Sequence, residues 1–244
     1  MSLVWLGLFA SLIVYAAGLL PSEPFAGLAN LAALAQVGVL GGASAPITIK
    51  LPTANNEYLL GYPLKVQWVK NNVPNTSSGK VVLKDAAGVT IYDSSTSAQV
   101  VSGTNNSYIL TLPTTANLGA ASLTVSFIDP ASGKVAVGSQ KITLIDHPSV
   151  SLQANFDDVS RAAKLSWDTT NVPKHWLGRV SVYGPGIFNR VVKDKLAITR
   201  QAGEFTYPLD YMAAGTYQFT LEFYDPTKTQ TGTVKIASSV YKPE

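Results

Sequence analysis

Few side chains in this 244-residue sequence are of the types that catalyse reactions or hold metal ions. Cysteine is absent, which excludes a thiol nucleophile, a thiolate metal ligand and any disulfide. The two histidines, His147 and His175, do not lie at metal-ligand spacing. Asp157 and Asp158 could bind calcium or form a solvated turn, and the turn is favoured because no acidic calcium loop surrounds them. No metal and no cofactor is therefore predicted.

Sequence motifs of known enzyme classes are also missing. There is no Gly-x-Ser-x-Gly nucleophile elbow in the sequence. The triplet Gly184-Pro185-Gly186 predicts a turn rather than a phosphate loop, because no Gly-Lys-Ser/Thr follows it. A catalytic site needs several convergent polar groups. We therefore predict no catalytic residue and no enzymatic activity.

Two asparagines could be modified rather than take part in chemistry. Asn75 and Asn105 each begin an Asn-x-Ser triplet in a predicted loop, which makes them candidate N-glycosylation sites. The formal net charge is +3, and the lysines and arginines are dispersed rather than clustered. This pattern predicts no nucleic-acid partner.

The elements that must position these residues begin with an apolar segment. Residues 1–40 contain no Lys, Arg, His or Asp, and Glu23 is their one acidic residue. Pro21 and Pro24 form a hinge between two Leu- and Ala-rich stretches. A helix that is apolar nearly all round must be buried in lipid or among other helices. We predict an assembly helix over 1–42, whose buried positions include Leu3, Leu6, Ile13, Leu19, Phe25, Leu28, Leu31, Leu34 and Val37.

Three interpretations of this segment compete. A cleaved secretory signal normally has a charged start and a shorter apolar core. A simple membrane anchor needs only about 20 apolar residues, which leaves the second stretch without a burial partner. A filament core, in which the helix packs against copies of itself, accounts for the length, the lack of charge and the many Gly and Ala positions that let helices approach closely.

On these residues the segment resembles the N-terminal helix of type IV pilin-like subunits. Pro21 falls where those helices often carry a proline, and Met1-Ser2 fits the start of mature archaeal members. Trp5 departs from the bacterial pattern, which has Glu at this position, so the resemblance is to archaeal pilins. It implies a homopolymeric extracellular filament whose subunits wait in the membrane before assembly.

After a linker at 43–46, the sequence changes to short alternating apolar stretches separated by Gly, Pro and Asn turns. Leu64, Val66 and Trp68 share one face of a strand, and Lys65 and Gln67 share the other. This period of two predicts strands at Ile47–Leu51, Leu64–Val69, Lys80–Asp85, Val89–Tyr92, Tyr108–Leu112, Ser122–Ile128 and Lys134–Ile145.

The pattern then repeats. Val66-Gln67-Trp68 returns as Leu165-Ser166-Trp167 after 99 residues, and Asp129-Pro130 returns as Asp225-Pro226 after 96 residues. Several motifs in the same order at nearly constant spacing indicate a duplicated domain. We predict one sandwich over 47–146 and a second over 147–244.

Each copy resembles an immunoglobulin-like sandwich with a tryptophan on its second strand. The Trp-x-x-x-Asn-Val-Pro stretch looks like the domain of fungal cell-wall glucan-synthesis proteins, which implies a surface role. Trp68 and Trp167 are predicted to be core anchors. Trp176 lies in a predicted loop, where it either caps the sandwich end or contacts a neighbouring subunit or ligand.

The fold class expected is mainly β, with a long N-terminal apolar α-helix followed by two tandem immunoglobulin-like β-sandwiches. The function expected is that of an extracellular type IV pilus-like adhesion filament that polymerises through its helix. The alternative is a membrane-anchored or secreted cell-surface protein whose sandwiches bind wall polysaccharide. Its expected partners are other copies of the chain, the membrane before assembly, and a surface or glycan.

Overall fold

A computed structural model describes residues 46–197 and 202–244. These residues belong to one compact unit, Ala45–Glu244. The hydrophobic clusters of the unit consist of its own side chains, from Ile47 to Val240. Because Ala45–Glu244 is a compact unit with two buried hydrophobic clusters, we expect the fragment 45–244 to fold on its own.

The first half of the unit contains nine strands and one short 3-10 turn at Ser94–Thr96. The strands are β1 (Ile47–Leu51), β2 (Glu57–Leu59), β3 (Pro63–Lys70), β4 (Ser78–Lys84), β5 (Thr90–Asp93), β6 (Val101–Ser102), β7 (Ser107–Thr111), β8 (Gly119–Ile128) and β9 (Val135–Ile145). One sheet has the order β1-β3-β7, and the other has the order β2-β9-β8-β4-β5, with β6 paired to β4.

The described part of the second half contains seven strands. They are β10 (Ser149–Asp157), β11 (Ala162–Thr170), β12 (Leu177–Gly184), β13 (Ile187–Ala197), β14 (Gly203–Pro208), β15 (Gly215–Tyr224) and β16 (Thr233–Lys242). A three-stranded sheet, β10-β11-β14, accompanies a four-stranded sheet, β13-β12-β15-β16.

Both halves therefore follow the same strand order. Without the short strands β2 and β6, each half has seven main strands. In each half the first, second and fifth main strands form one antiparallel sheet, and the fourth, third, sixth and seventh form the other. This order is that of an immunoglobulin-like or fibronectin-type sandwich. The exceptions are β2 and β6. Strand β2 has three residues and pairs in parallel with β9, strand β6 has two residues and pairs with β4, and neither has a counterpart among the described strands of the second half.

Alternation explains how the strands bury one face. Along β3, Leu64, Val66 and Trp68 are buried, while the residues between them face outward. Trp68 packs against Phe127 of β8, with ring centroids 6.0 Å apart. Burying a side chain of this size contributes about 2–3 kcal/mol from apolar area alone, so the Trp on the second main strand anchors the first core.

The second core is not made of second-half residues alone. Trp167 and Trp176 belong to it, and so do Leu59 of β2 and Ile145 of β9. The domain boundary between residues 146 and 147 remains a prediction. Two first-half side chains are buried in the second core, so the two cores are not divided at that position.

The fold class expected from the sequence is wrong in its helical component. The described residues form an all-β fold without an α-helix, because the period-two pattern continues through them and their segments pair as strands. Within 46–197 and 202–244, no helix is long and apolar enough to cross a membrane. The assembly helix assigned to 1–42, with its buried positions and the hinge at Pro21 and Pro24, lies outside the described residues.

Two glycines at equivalent positions of the repeat provide a test of core packing. A Cβ at Gly79 would lie 2.5 Å from ring and methyl carbons of Phe127 and Val101, whereas one at Gly178 would lie 3.2 Å from Phe223. We expect Gly79→Ala to lower the free energy of unfolding by about 1–3 kcal/mol, because overpacking forces side chains out of their rotamers.

The matched variant Gly178→Ala should lose clearly less stability, because the contact there can relax by a few tenths of an ångström. Urea unfolding of the fragment 45–244 measures both effects. Equal losses for the two variants would contradict this account of the first core.

Candidate functional site

The two sandwiches meet at a junction made of three segments. The term junction means the contact between residues 57–65 of the first half and the loops 173–176 and 225–231 of the second half. Leu59 inserts from the first half into the second core and is completely buried. The junction is therefore a continuation of the second core rather than a contact between two finished surfaces.

Gln230 holds the backbone of Leu59 at this junction. Its Nε2 donates to the carbonyl oxygen of Leu59 at 2.7 Å, and its Oε1 accepts from the Leu59 N–H at 2.8 Å. Gln230 is itself buried. One side-chain amide thus replaces the two hydrogen bonds that a neighbouring strand would otherwise supply to the main-chain N–H and carbonyl of Leu59.

Main-chain contacts continue the pairing along the junction. The N–H of Lys65 donates to the carbonyl of Thr229 at 2.7 Å, and the N–H of Thr231 donates to the carbonyl of Pro63 at 3.3 Å. Leu64 and Gln230 form an isolated antiparallel bridge. The start of β3 is therefore joined to the 229–231 segment as though that segment were a short neighbouring strand.

A buried carboxylate shapes the loop that presents Gln230. Asp225 Oδ1 accepts from the N–H and hydroxyl of Thr227 at 2.8 Å and 2.7 Å, and Asp225 Oδ2 accepts from the N–H of Gln230 at 2.8 Å. These bonds tie the loop to its own first residue, an arrangement that aspartate favours in turns. The orientation of Gln230 is consequently set within the second sandwich.

Trp176 lies under the junction rather than on the surface. Its side chain is completely buried, and Tyr62 meets it edge to face with ring centroids 6.2 Å apart. Edge-to-face pairs of this kind contribute about 0.5–1.5 kcal/mol beyond their buried area. The contact predicted between Trp176 and a neighbouring subunit or ligand is corrected, because the loop folds inward against the first half of the same chain.

His175 is the titratable group enclosed at the junction. Its ring lies 5.5 Å from that of Tyr58, and its Nε2 is buried 3.9 Å from Asp225 Oδ2, with no hydrogen-bond partner among the described residues. Burial lowers the pKa of His175, although the nearby carboxylates of Asp225 and Glu57 act in the opposite direction. The imidazole is therefore enclosed mainly in its neutral form.

Two other groups complete the edge of the junction. Glu57 accepts from the N–H of Lys174 at 3.1 Å, and the Lys174 ammonium lies 3.8 Å from the same carboxylate. Burial raises the pKa of Tyr58 to about 12, and its hydroxyl accepts from the Thr53 N–H at 2.8 Å. These groups stabilise the contact between the two halves.

The structure places the remaining predicted site residues apart from one another. Trp68 lies in the first core and Trp167 in the second. Asn75 is exposed, but the hydroxyl of Ser77 in its triplet is buried. Asn105 is half-buried, and its Oδ1 accepts from the N–H and hydroxyl of Ser102 at 2.8 Å and 2.9 Å. Of the two candidate asparagines, Asn75 is the more accessible side chain.

The acidic pair considered for calcium belongs to a turn. Lys164 and Ser160 both bond to Asp157, and they lower its pKa to about 2. His147 is exposed beside Asp146, with a nitrogen-to-oxygen distance of 3.1 Å. The described residues contain no group of three His, Cys, Asp or Glu side chains that could hold a metal ion.

The sequence did contain a sign of the junction that its main pattern obscured. Tyr58, Leu59 and Leu60 form an apolar run between two predicted strands, and the repeat places the polar residues Asp157 and Asp158 opposite the first two. When the two copies of a repeat carry residues of different polarity at equivalent positions, those residues have different surroundings in the folded protein. Gln230 gave no comparable sign, because it is a single polar residue in a turn.

The amide of Gln230 can be tested by removing it. We expect Gln230→Ala to lower the free energy of unfolding by about 2–4 kcal/mol, because it leaves a buried N–H and a buried carbonyl of Leu59 unpaired. Urea unfolding of the fragment 45–244 measures the loss. Gln153→Ala removes the same group from an exposed strand position and should change stability by less than about 0.5 kcal/mol. Equal effects would contradict the role assigned to Gln230.

His175 predicts how stability depends on pH. Its pKa is lowered in the folded protein, so the unfolded chain binds the proton more readily once the pH falls below the unfolded value of about 6.5. The free energy of unfolding should be highest above that pH and fall as the pH drops through the folded pKa, by at most about 1.4 kcal/mol per pH unit.

Urea unfolding between about pH 7.5 and pH 5 follows this change across the titration range of histidine. His175→Gln should flatten the decrease, whereas His147→Gln, at an exposed position, should keep it. An unchanged slope in His175→Gln would show that the buried imidazole is not its source.

No family model and no curated protein matches the chain, and the resemblances to archaeal pilins and fungal cell-wall proteins gain no support from these comparisons. The chain is similar to the fibronectin(III)-like modules of Clostridium thermocellum CbhA, at 14% identity and a TM-score of 0.35 over 81% of this chain and 94% of that one. It is similar to the tetra-tandem repeat in the extending region of a large adhesion protein, at 14% identity and a TM-score of 0.36 over 80% of this chain and 48% of that one. The chain is also similar to the chicken CNTN1 FN1-FN3 domains, at 10% identity and a TM-score of 0.43 over 79% of this chain and 66% of that one. The strand order of the two sandwiches, and not these likenesses, carries the assignment of the fold.

Proposed function

We propose that this protein is a non-enzymatic cell-surface or secreted protein in which two immunoglobulin-like sandwiches act as one rigid spacer. The filament hypothesis depended on residues 1–42, which lie outside the described residues. The alternative from the sequence, a surface β-sandwich protein, is therefore the one developed here. Its binding of wall polysaccharide is taken up below with a site of its own.

The observation that carries the proposal is the shared core at the junction. Tandem domains normally move relative to each other unless their contact is large and apolar. Here Leu59 is buried in the second core, and its main-chain N–H and carbonyl are both hydrogen-bonded to Gln230. Bending at the junction would expose an apolar side chain and break two buried hydrogen bonds at the same time.

The linker between the sandwiches also restricts their movement. Strand β9 ends at Ile145 and β10 begins at Ser149, so only residues 146–148 connect them. Asn171 Nδ2 donates to the carbonyl of His147 at 3.3 Å. A connection this short, with one carbonyl bound to the second sandwich and Pro148 next to it, allows little rotation.

Composition supports a location at the cell surface. Charged residues make up 14% of the chain, compared with about 25% in an average soluble protein. Ser, Thr, Asn, Gln and Gly must therefore cover much of the exterior, as is common in secreted β-proteins. The dispersed charges offer no footprint for nucleic acid.

Rigidity can be measured by electron paramagnetic resonance between two spin labels. Because the chain has no cysteine, Ala98→Cys and Lys235→Cys introduce labels only at these exposed positions, one in each sandwich. We expect one narrow distance distribution in the fragment 45–244. Adding Gln230→Ala should broaden it, whereas adding Gln153→Ala should not.

A broad distribution in the unaltered fragment would overturn the spacer proposal. Surface location has a separate test, in which intact producing cells are treated with a membrane-impermeant amine reagent. Lysines of the two sandwiches should be modified at low reagent concentration. Protection until the cells are lysed would contradict the proposed location.

A further inference from the structure

The outer face of the sheet β13-β12-β15-β16 carries three exposed aromatic rings. Tyr183 is 55% exposed, Phe188 87% and Tyr241 60%. The rings of Tyr183 and Phe188 contact each other, with centroids 6.4 Å apart and planes 65° apart. Single exposed apolar residues are ordinary on protein surfaces, but several on one sheet face indicate a site of interaction.

Strand register shows what lies between the rings. Tyr183 is paired with Gln218 of β15, and Gln218 is paired with Ser239 of β16. In the next outward row, Thr216 is paired with Tyr241. Two strand spacings and two residues separate Tyr183 from Tyr241, which places their Cα atoms about 12 Å apart. The floor between them consists of one amide and two hydroxyl side chains.

The other end of this face is charged. Arg179 bonds to Asp194 at 3.2 Å, and the Tyr224 hydroxyl donates to the same carboxylate at 3.0 Å. Glu222 is paired across the sheet with Lys235. Each of these two cations therefore has an anion beside it, while β13 of the same sheet also carries the exposed cations Arg190, Lys193 and Lys195.

These features together specify the chemistry of the ligand. An aromatic face is electron-rich and attracts weakly polarised C–H groups, while amides and hydroxyls bind other hydroxyls. Tyrosine also supplies rigid contact area at low entropic cost. The core of a protein interface would instead need a continuous, closely packed apolar patch, and here polar side chains separate the rings.

We propose that this face binds a β-linked glucan chain, because the equatorial hydroxyls and equatorial linkage of its glucose units leave their C–H faces free to contact the rings. Tyr183 and Phe188 contact the sugar faces at one side, Tyr241 contacts them at the other, and Gln218, Thr216 and Ser239 bond to the hydroxyls between. This inference adds a ligand to the proposed function and rests on it only for the surface location.

The internal repeat supports a special role for the second sandwich. At the positions equivalent to Tyr183, Phe188 and Gln218, the first sandwich has Lys84, Val89 and Ser122. The same fold therefore forms without aromatic rings on this face. The rings of the second sandwich are therefore not a requirement of the sheet.

Affinity gel electrophoresis provides the test, with hydroxyethyl cellulose and laminarin as the probes. The full chain in detergent micelles and the fragment 45–244 are both run with and without each polysaccharide. We expect at least one probe to retard migration, and Tyr183→Ser to weaken the interaction about tenfold, as loss of a central aromatic contact does.

Tyr211→Ser is the matched control, because this fully exposed tyrosine lies in the loop between β14 and β15 and not on the sheet. The affinity of the Tyr211→Ser variant for the polysaccharide should be unchanged. A lack of retardation with both probes would overturn the proposal, and so would equal losses in the two variants or full affinity in Tyr183→Ser. Circular dichroism confirms that both variants are folded.

Sedimentation of the fragment 45–244 measures whether it associates with a second copy of itself. A dimer that Tyr183→Ser dissociates would mean that the face binds a second copy, and would also overturn the proposal. Failure of glucan binding with a narrow spin-label distribution leaves the spacer function intact. A broad distribution with retained glucan binding refutes the spacer alone.

Discussion

A buried residue needs partners for its main-chain N–H and its carbonyl, and this requirement governs how the two sandwiches are joined. Leu59 lies at the end of a three-residue strand, with its side chain in the core of the other half. Only a group with one donor and one acceptor at the right separation can pair with it there. Gln230 is such a group, and the loop around Asp225 orients it.

The rest of the junction follows from this pairing. Once Gln230 lies against Leu59, the neighbouring backbone of Thr229 and Thr231 comes within hydrogen-bond distance of Lys65 and Pro63. Trp176 and Tyr62 then close the apolar part. The enclosed imidazole of His175 is a consequence of the same closure, because its loop is drawn under the first half. Polar pairing, apolar packing and a shifted pKa thus have one structural origin.

Local pattern was sufficient to predict most strands, and long-range contact explains what it missed. The alternation in Leu64–Val69 predicted a strand that the structure gives as Pro63–Lys70, because a half-buried strand shows its two faces directly. Strand β2 is too short to show a period, and its partner β9 lies far along the sequence. Trp176 was assigned to a loop correctly by its Pro and Gly neighbours, but no local feature tells whether a loop faces solvent or another module. The aromatic face escaped notice because Tyr183, Phe188 and Tyr241 become neighbours only through strand pairing.

The insertion of Leu59 into the second core also limits how this chain can evolve. Many sandwich modules can be cut at their linkers and recombined with new neighbours, because each one is finished alone. A genetic breakpoint at 146–148 would here leave one product with an unpaired apolar strand end and the other with a vacancy in its core. The two halves share one strand order, yet a genome that kept only one of them would keep an incomplete module.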